Sequence, residues 1–142
     1  MGGAYAVHAV EKSPTLWKSL LVVSSFDSLA GVIRDQIRSF PITLPGITET
    51  VLIRIIKILG GVDINQVVPE SWATQIKVPV LVVHGDADNL IDFSRGKSLF
   101  DGFTQAHYKQ WLPVPGAGHN NILVTKEPVY AQMSAWLLKY VK

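Results

Sequence analysis

The chain contains no cysteine; disulfides and thiolate-bound metals are therefore excluded, and the redox compartment stays open. No apolar run approaches the ~18 residues of a membrane-spanning helix. The opening residues, MGGAYAVHAVEK, lack the basic start of a secretory signal, and a cytoplasmic location is the expectation. Charge is sparse: 17% of residues are Asp, Glu, Lys or Arg, and the net charge is +2. The densest basic pair is Arg54 with Lys57, far short of the stripe that nucleic acid requires, so no nucleic-acid partner is expected. Four histidines are present without an H-x-x-x-H or comparable spacing, which predicts no metal site. There is no internal repeat and no low-complexity linker. What the chain does have is apolar residues, 48% of its 142, enough to bury the core of one domain.

Their order is informative. Gly2–Val10 is small and apolar with alanines at helical spacing, and Lys12-Ser13-Pro14 stops it. Leu20-Leu21-Val22-Val23 is a continuous apolar run, the pattern of a strand covered on both faces. Leu29–Ile37 repeats apolar residues at helical spacing. Pro41 and Pro45 then break the chain before Glu49–Leu59, a helix apolar nearly all round except at Arg54 and Lys57, ended by Gly60-Gly61. Such a helix is expected to be buried against something. Val78–Val83 is a second buried strand, Asp92 caps a helix running to Asp101, and His107–Val114 is a third strand. Pro128 opens a final helix with Val129, Met133, Trp136, Leu137, Tyr140 and Val141 along one stripe. Strands alternating with helices predict an α/β chain with a parallel sheet.

Two of these strands end in turns that carry a titratable group. Pro79–Asp88 reads PVLVVHGDAD and Pro115–Asn121 reads PGAGHNN. A histidine can take a proton from a hydroxyl nucleophile and return it to a leaving group, while a carboxylate on its other nitrogen fixes the tautomer. Asp88 and His119 have the residue types and the chain order for those two roles. The segments resemble the α/β-hydrolase superfamily: HGDAD is similar to its HGxxD acid motif, PGAGHN to its histidine motif, and Met1-Gly2-Gly3 to the residues that follow the nucleophile in G-x-S-M-G-G. The fuller run HGDADNLIDFSRGKSLFDG resembles the serine aminopeptidase-like and monoacylglycerol-lipase-like branch.

The resemblance implies the C-terminal part of an α/β-hydrolase fold: about three parallel strands with flanking helices, one partial domain over 1–142, and a short helical cap inserted at about 40–61. It implies a cofactor-free serine hydrolase acting on carboxylic esters, lipids or small amides. Asp88 and His119 would be catalytic and Met1 the oxyanion-hole neighbour, with the nucleophile just before Met1. No serine here lies in G-x-S-x-G, so the chain alone should be inactive. It should also self-associate or depend on a chain that carries the N-terminal half. Asp27 is the runner-up acid, Asp92 reads better as a helix cap, and Asp86 would point elsewhere. His84 reads as a packed residue supporting its turn, and His8 and His107 as structural or solvated. Two other readings stay open, a non-catalytic half-fold used as an interaction module and a hydrolase with an aspartate nucleophile. Met1-Gly2-Gly3 argues weakly against the latter, since aspartate-nucleophile relatives usually place an aromatic after the nucleophile.

Overall fold

The computed structural model describes residues 1–39, 49–61, 63–124 and 127–141. Two continuous apolar runs and one mixed segment become three parallel strands: β1 (Leu20–Val23), β2 (Val80–Gly85) and β3 (Lys109–Val114), in the spatial order β1-β2-β3. Leu20 pairs with Val80, and Val80 in turn with Lys109. Parallel neighbours cannot be joined by a tight turn, so each connection carries helices. Helix α1 (Gly2–Lys12) precedes β1; α2 (Leu29–Ser39), α3 (Glu49–Gly60) and α4 (Pro69–Ala73) lie between β1 and β2; α5 (Phe93–Gly102) joins β2 to β3; and α6 (Glu127–Tyr140) follows. A short 3-10 turn, Ile64–Gln66, precedes α4.

Alternation along the strands sorts side chains onto two faces. Leu20, Val22, Val80 and Val82 meet Val7 and Val10 of α1, Ala73 of α4, and Leu99 of α5. Leu81, Val83 and Val114 point the other way, to Val129 and Trp136 of α6, with Leu21 and Val23 only partly buried beside them. Every residue of β2 is buried. Each such Val or Leu is worth roughly 1.5–3 kcal/mol over its exposed form, which makes the central strand the main apolar anchor.

Two local expectations need adjustment. The second strand runs from Val80 rather than Val78 and extends through His84 and Gly85. Helix α4, with Pro69 in its first turn, has no counterpart in the sequence reading. The apolar helix is present as α3, and among its described side chains Val51 is 41% exposed, Ile58 is 79% exposed, and Arg54 and Lys57 are also exposed. Gly61 ends it with φ +64° and donates to the Lys57 carbonyl at 3.0 Å. The proline-broken part of the expected cap, residues 40–48, lies outside the described residues.

Candidate active site

The C-terminal ends of parallel strands open onto the crevice where α/β sheets bind ligands, and the three strands each deliver a turn there. After β2, Asp88 is drawn inward with its side chain fully buried. Its Oδ1 accepts from the backbone N–H groups of Leu90 at 3.0 Å and Ile91 at 2.8 Å. Oδ2 faces His119 Nδ1 at 2.8 Å. A buried carboxylate needs such donors to remain in place, and here all come from two loops.

His119 sits in the turn after β3 with its side chain 23% exposed. It lines a cavity of about 370 Å³ with Met1, Gly2, Gly3, Val23, Ser24 and Ile122. A second opening, of about 520 Å³, lies on its other side between the two loops, bounded by Asn89, Leu90, Gly118 and Asn120. Asp88 and His119 are therefore brought together, and Met1 shares a cavity with the histidine.

The rival carboxylates are engaged elsewhere. Asp27 is buried, but its Oδ2 accepts from Arg95 Nη1 at 3.1 Å and its Oδ1 from the Ser28 N–H at 2.6 Å. Arg95 also grips Asp35 through Nε at 2.7 Å and Nη2 at 3.2 Å. Hydrogen bonding to Asp35, and then the charge of Asp27, push the guanidinium further above its ordinary pKa against the cost of partial burial. Asp92 caps α5, accepting from the Ser94 N–H at 2.8 Å. Bonds from the Ser94 hydroxyl and then its N–H hold the Asp92 carboxyl below the ordinary value of 3.8. Asp86 does point away from His119's ring, toward the Gly116 N–H at 2.6 Å.

His84 is fully buried, and its Nε2 lies 3.0 Å from the Ile91 carbonyl. A carbonyl only accepts, so Nε2 carries the hydrogen and the ring supports the Asp88 loop from beneath. Nε2 also lies 3.6 Å from Asp88 Oδ2. His8 stacks on Trp72 with ring centroids 4.3 Å apart, and His107 is exposed. Among the described residues no group of three His, Asp or Glu side chains is placed to hold a metal.

Two features have no signature in the sequence. Ser24, directly after β1, has φ +45° and a buried hydroxyl with no partner among the described residues. Gln36 of α2 donates from Nε2 to the Leu90 carbonyl at 2.8 Å, tying that helix to the acid loop.

The backbone arrangement recurs in solved structures. An esterase from Pyrococcus furiosus superposes on all of the chain with a TM-score of 0.71 at 14% identity, the match covering 51% of that protein. The esterase domain of a Rhodothermus marinus protein matches 99% of the chain and 57% of its own length, with a TM-score of 0.67 at 18% identity. The chain carries part of an α/β-hydrolase core. Curated proteins similar to part of the chain include the alpha/beta hydrolase domain-containing protein aho-3 of Caenorhabditis elegans, 44% identical over 48 residues, which are 34% of the chain and 14% of that protein. Human alpha/beta hydrolase domain-containing protein 17C is 37% identical over 68 residues, 48% of the chain and 18% of its own length. The matched stretch thus spans less than a fifth of either relative. No family model matches the chain.

Proposed function

We propose that this hydrolase core is the acid- and histidine-bearing part of a serine hydrolase that cleaves carboxylic esters, lipid esters or small amides. The 2.8 Å approach of Asp88 Oδ2 to His119 Nδ1 carries the reading. An ionised Asp88 only accepts, so His119 carries its hydrogen on Nδ1 and presents the lone pair of Nε2. That nitrogen takes the proton of an attacking hydroxyl and later gives it to the leaving oxygen or nitrogen, while the carboxylate stabilises the intervening imidazolium. The nucleophile is not among these 142 residues, since none of their serines lies in G-x-S-x-G. Met1, in the same cavity as His119, supports the reading of its amide as an oxyanion donor in the complete protein.

Several features support an acyl substrate in the same way. Val23, Ile122 and Leu123 give the cavity an apolar wall. The resemblance to a lipase-like branch and the names of the esterase relatives point in the same direction. In this reading residues 40–61 form a cap over the cleft, and the open apolar side chains Val51 and Ile58 of α3 face substrate or the rest of the protein.

The test uses the complete protein with nitrophenyl esters of short and medium chain length and a fluorophosphonate probe. Turnover and labelling should both be present in the parent and both be lost in His119→Ala. Turnover within a few-fold of the parent in that variant would overturn the assignment, and a complete protein with neither turnover nor labelling would favour the interaction-module reading.

A further inference from the structure

The acid and the histidine are anchored in different ways. Asp88 is held within its own loop, by the N–H groups of Leu90 and Ile91. The histidine loop has one internal brace of this kind, from the Gly118 N–H to Asn121 Oδ1 at 2.7 Å. Besides the bond between Asp88 and His119 themselves, three links among the described residues tie it to the turn after β2. Asp86 donates its N–H to the Val114 carbonyl at 3.3 Å, and Ala87 donates to the Ala117 carbonyl at 3.0 Å. The third runs the opposite way, from the Gly116 N–H to the Asp86 carboxylate at 2.6 Å.

The first two links are backbone to backbone and survive any substitution that keeps the turn. Only the third depends on a side chain. It is charge-assisted, the stronger kind of hydrogen bond, and it holds a glycine at φ +70°, in the left-handed region where the chain changes direction toward His119. Beside it the two turns are in contact: a methyl group added at Gly85 would overlap the Ala117 carbonyl. Asp86 itself is exposed and contributes nothing to the core.

We propose that Asp86 is a positioning residue for His119: its carboxylate clamps the Gly116 N–H and sets the histidine loop in register with Asp88. The proposal rests on the hydrolase reading above. Catalysis by proton transfer tolerates little displacement, and an error of about 1 Å can cost on the order of 100-fold.

The experiment compares Asp86→Ala and Asp86→Asn in the complete protein. It measures kcat and KM with a nitrophenyl ester, thermal midpoint, and the low-field proton NMR signal of the His119 Nδ1–H bonded to Asp88. Asp86→Ala should lower kcat about 10- to 100-fold with KM within about twofold, weaken or abolish the low-field signal, and change the thermal midpoint little. Asp86→Asn keeps an amide oxygen able to accept from Gly116 and should recover kcat to within about threefold, with the signal restored. An Asp86→Ala variant with parental kcat and an intact signal would overturn the clamp, as would an Asn variant as damaged as the alanine one. The His119→Ala variant separates the two levels. If it keeps turnover, the hydrolytic reading falls and the clamp loses its catalytic meaning. If the parent needs His119 but not Asp86, only the clamp falls.

Discussion

Asp27 and Asp88 are both buried carboxylates just beyond strand ends, and their partners divide them. Asp27 is neutralised by Arg95, whereas Asp88 faces an imidazole. In the complete protein Asp88→Asn should therefore lower turnover by about 10⁴-fold, the size expected when the histidine loses its tautomer control. Asp27→Asn should act through stability, with kcat retained. A large kinetic loss at Asp27 with a mild one at Asp88 would reverse the assignment. Ser24 makes a different point. A non-glycine residue in the left-handed region costs about 1–2 kcal/mol, and glycine's extra unfolded-state entropy costs about 0.5–1 kcal/mol. The first exceeds the second, so Ser24→Gly should raise stability by up to about 1 kcal/mol and the melting midpoint by about 2–4 °C. Calorimetry showing a lower midpoint would mean that the buried hydroxyl has a favourable role. The approach of Asp88 to His119, on which the proposed function rests, was foreseeable from HGDAD and PGAGHN because each residue sits in a short, compositionally distinctive turn. The bond from Asp86 to Gly116, thirty residues away, leaves no periodic trace, and neither does the backbone of Ser24.

At the scale of elements, β1 and β2 were the most legible, because each carries a continuous run of Val and Leu, and β2 is buried along its whole length. Their ends were less so: apolarity counts Val78 in and His84 out, while the ladder does the opposite. Helix α4 spans only five residues, too few for a 3.6-residue repeat to emerge. Helix α3 was legible as a helix from its apolar run, and among its described side chains Val51 and Ile58 stand open. The α5 cap was legible and has a measurable consequence. Because the folded-state pKa of Asp92 lies below its unfolded value of 3.8, its stabilising contribution is complete above that value and is lost as pH falls through the folded pKa. Asp92→Ala should therefore cost about 1 kcal/mol near neutrality, and the gap from the parent should close in denaturant melts taken below about pH 4. Asp92→Asn, which keeps the accepting oxygen without the charge, should cost less than the alanine variant near neutrality and should show little pH dependence at this site. An alanine penalty that persists unchanged at low pH would show that the charge is not what matters.

For the molecule as a whole, the sheet has two ends, and β1 forms one of them, paired among the described residues only with β2. The side chains of Leu21 and Val23 are only partly covered, while Met1, Tyr5, Leu16 and Trp17 stand exposed nearby in sequence. Open edges beside apolar surface promote association. Isolated, the 142-residue chain should elute as oligomers in size-exclusion chromatography with light scattering and show no esterase turnover. A dispersed monomer would defeat the first expectation, and turnover lost on His119→Ala the second. The spacing of the strand partners also bears on how the molecule assembles. Leu20 and Val80 lie sixty residues apart, whereas Val80 and Lys109 are separated by twenty-nine. Doubling a loop adds only about 0.6 kcal/mol of closure entropy, but β1 must meet that cost with four paired residues and β2–β3 has six. The β2–β3 pair, which already carries Asp88 and His119, should form first and open last. Amide hydrogens of β1 should accordingly exchange sooner than those of β2, making the proposed proton relay part of the most persistent unit of the fold.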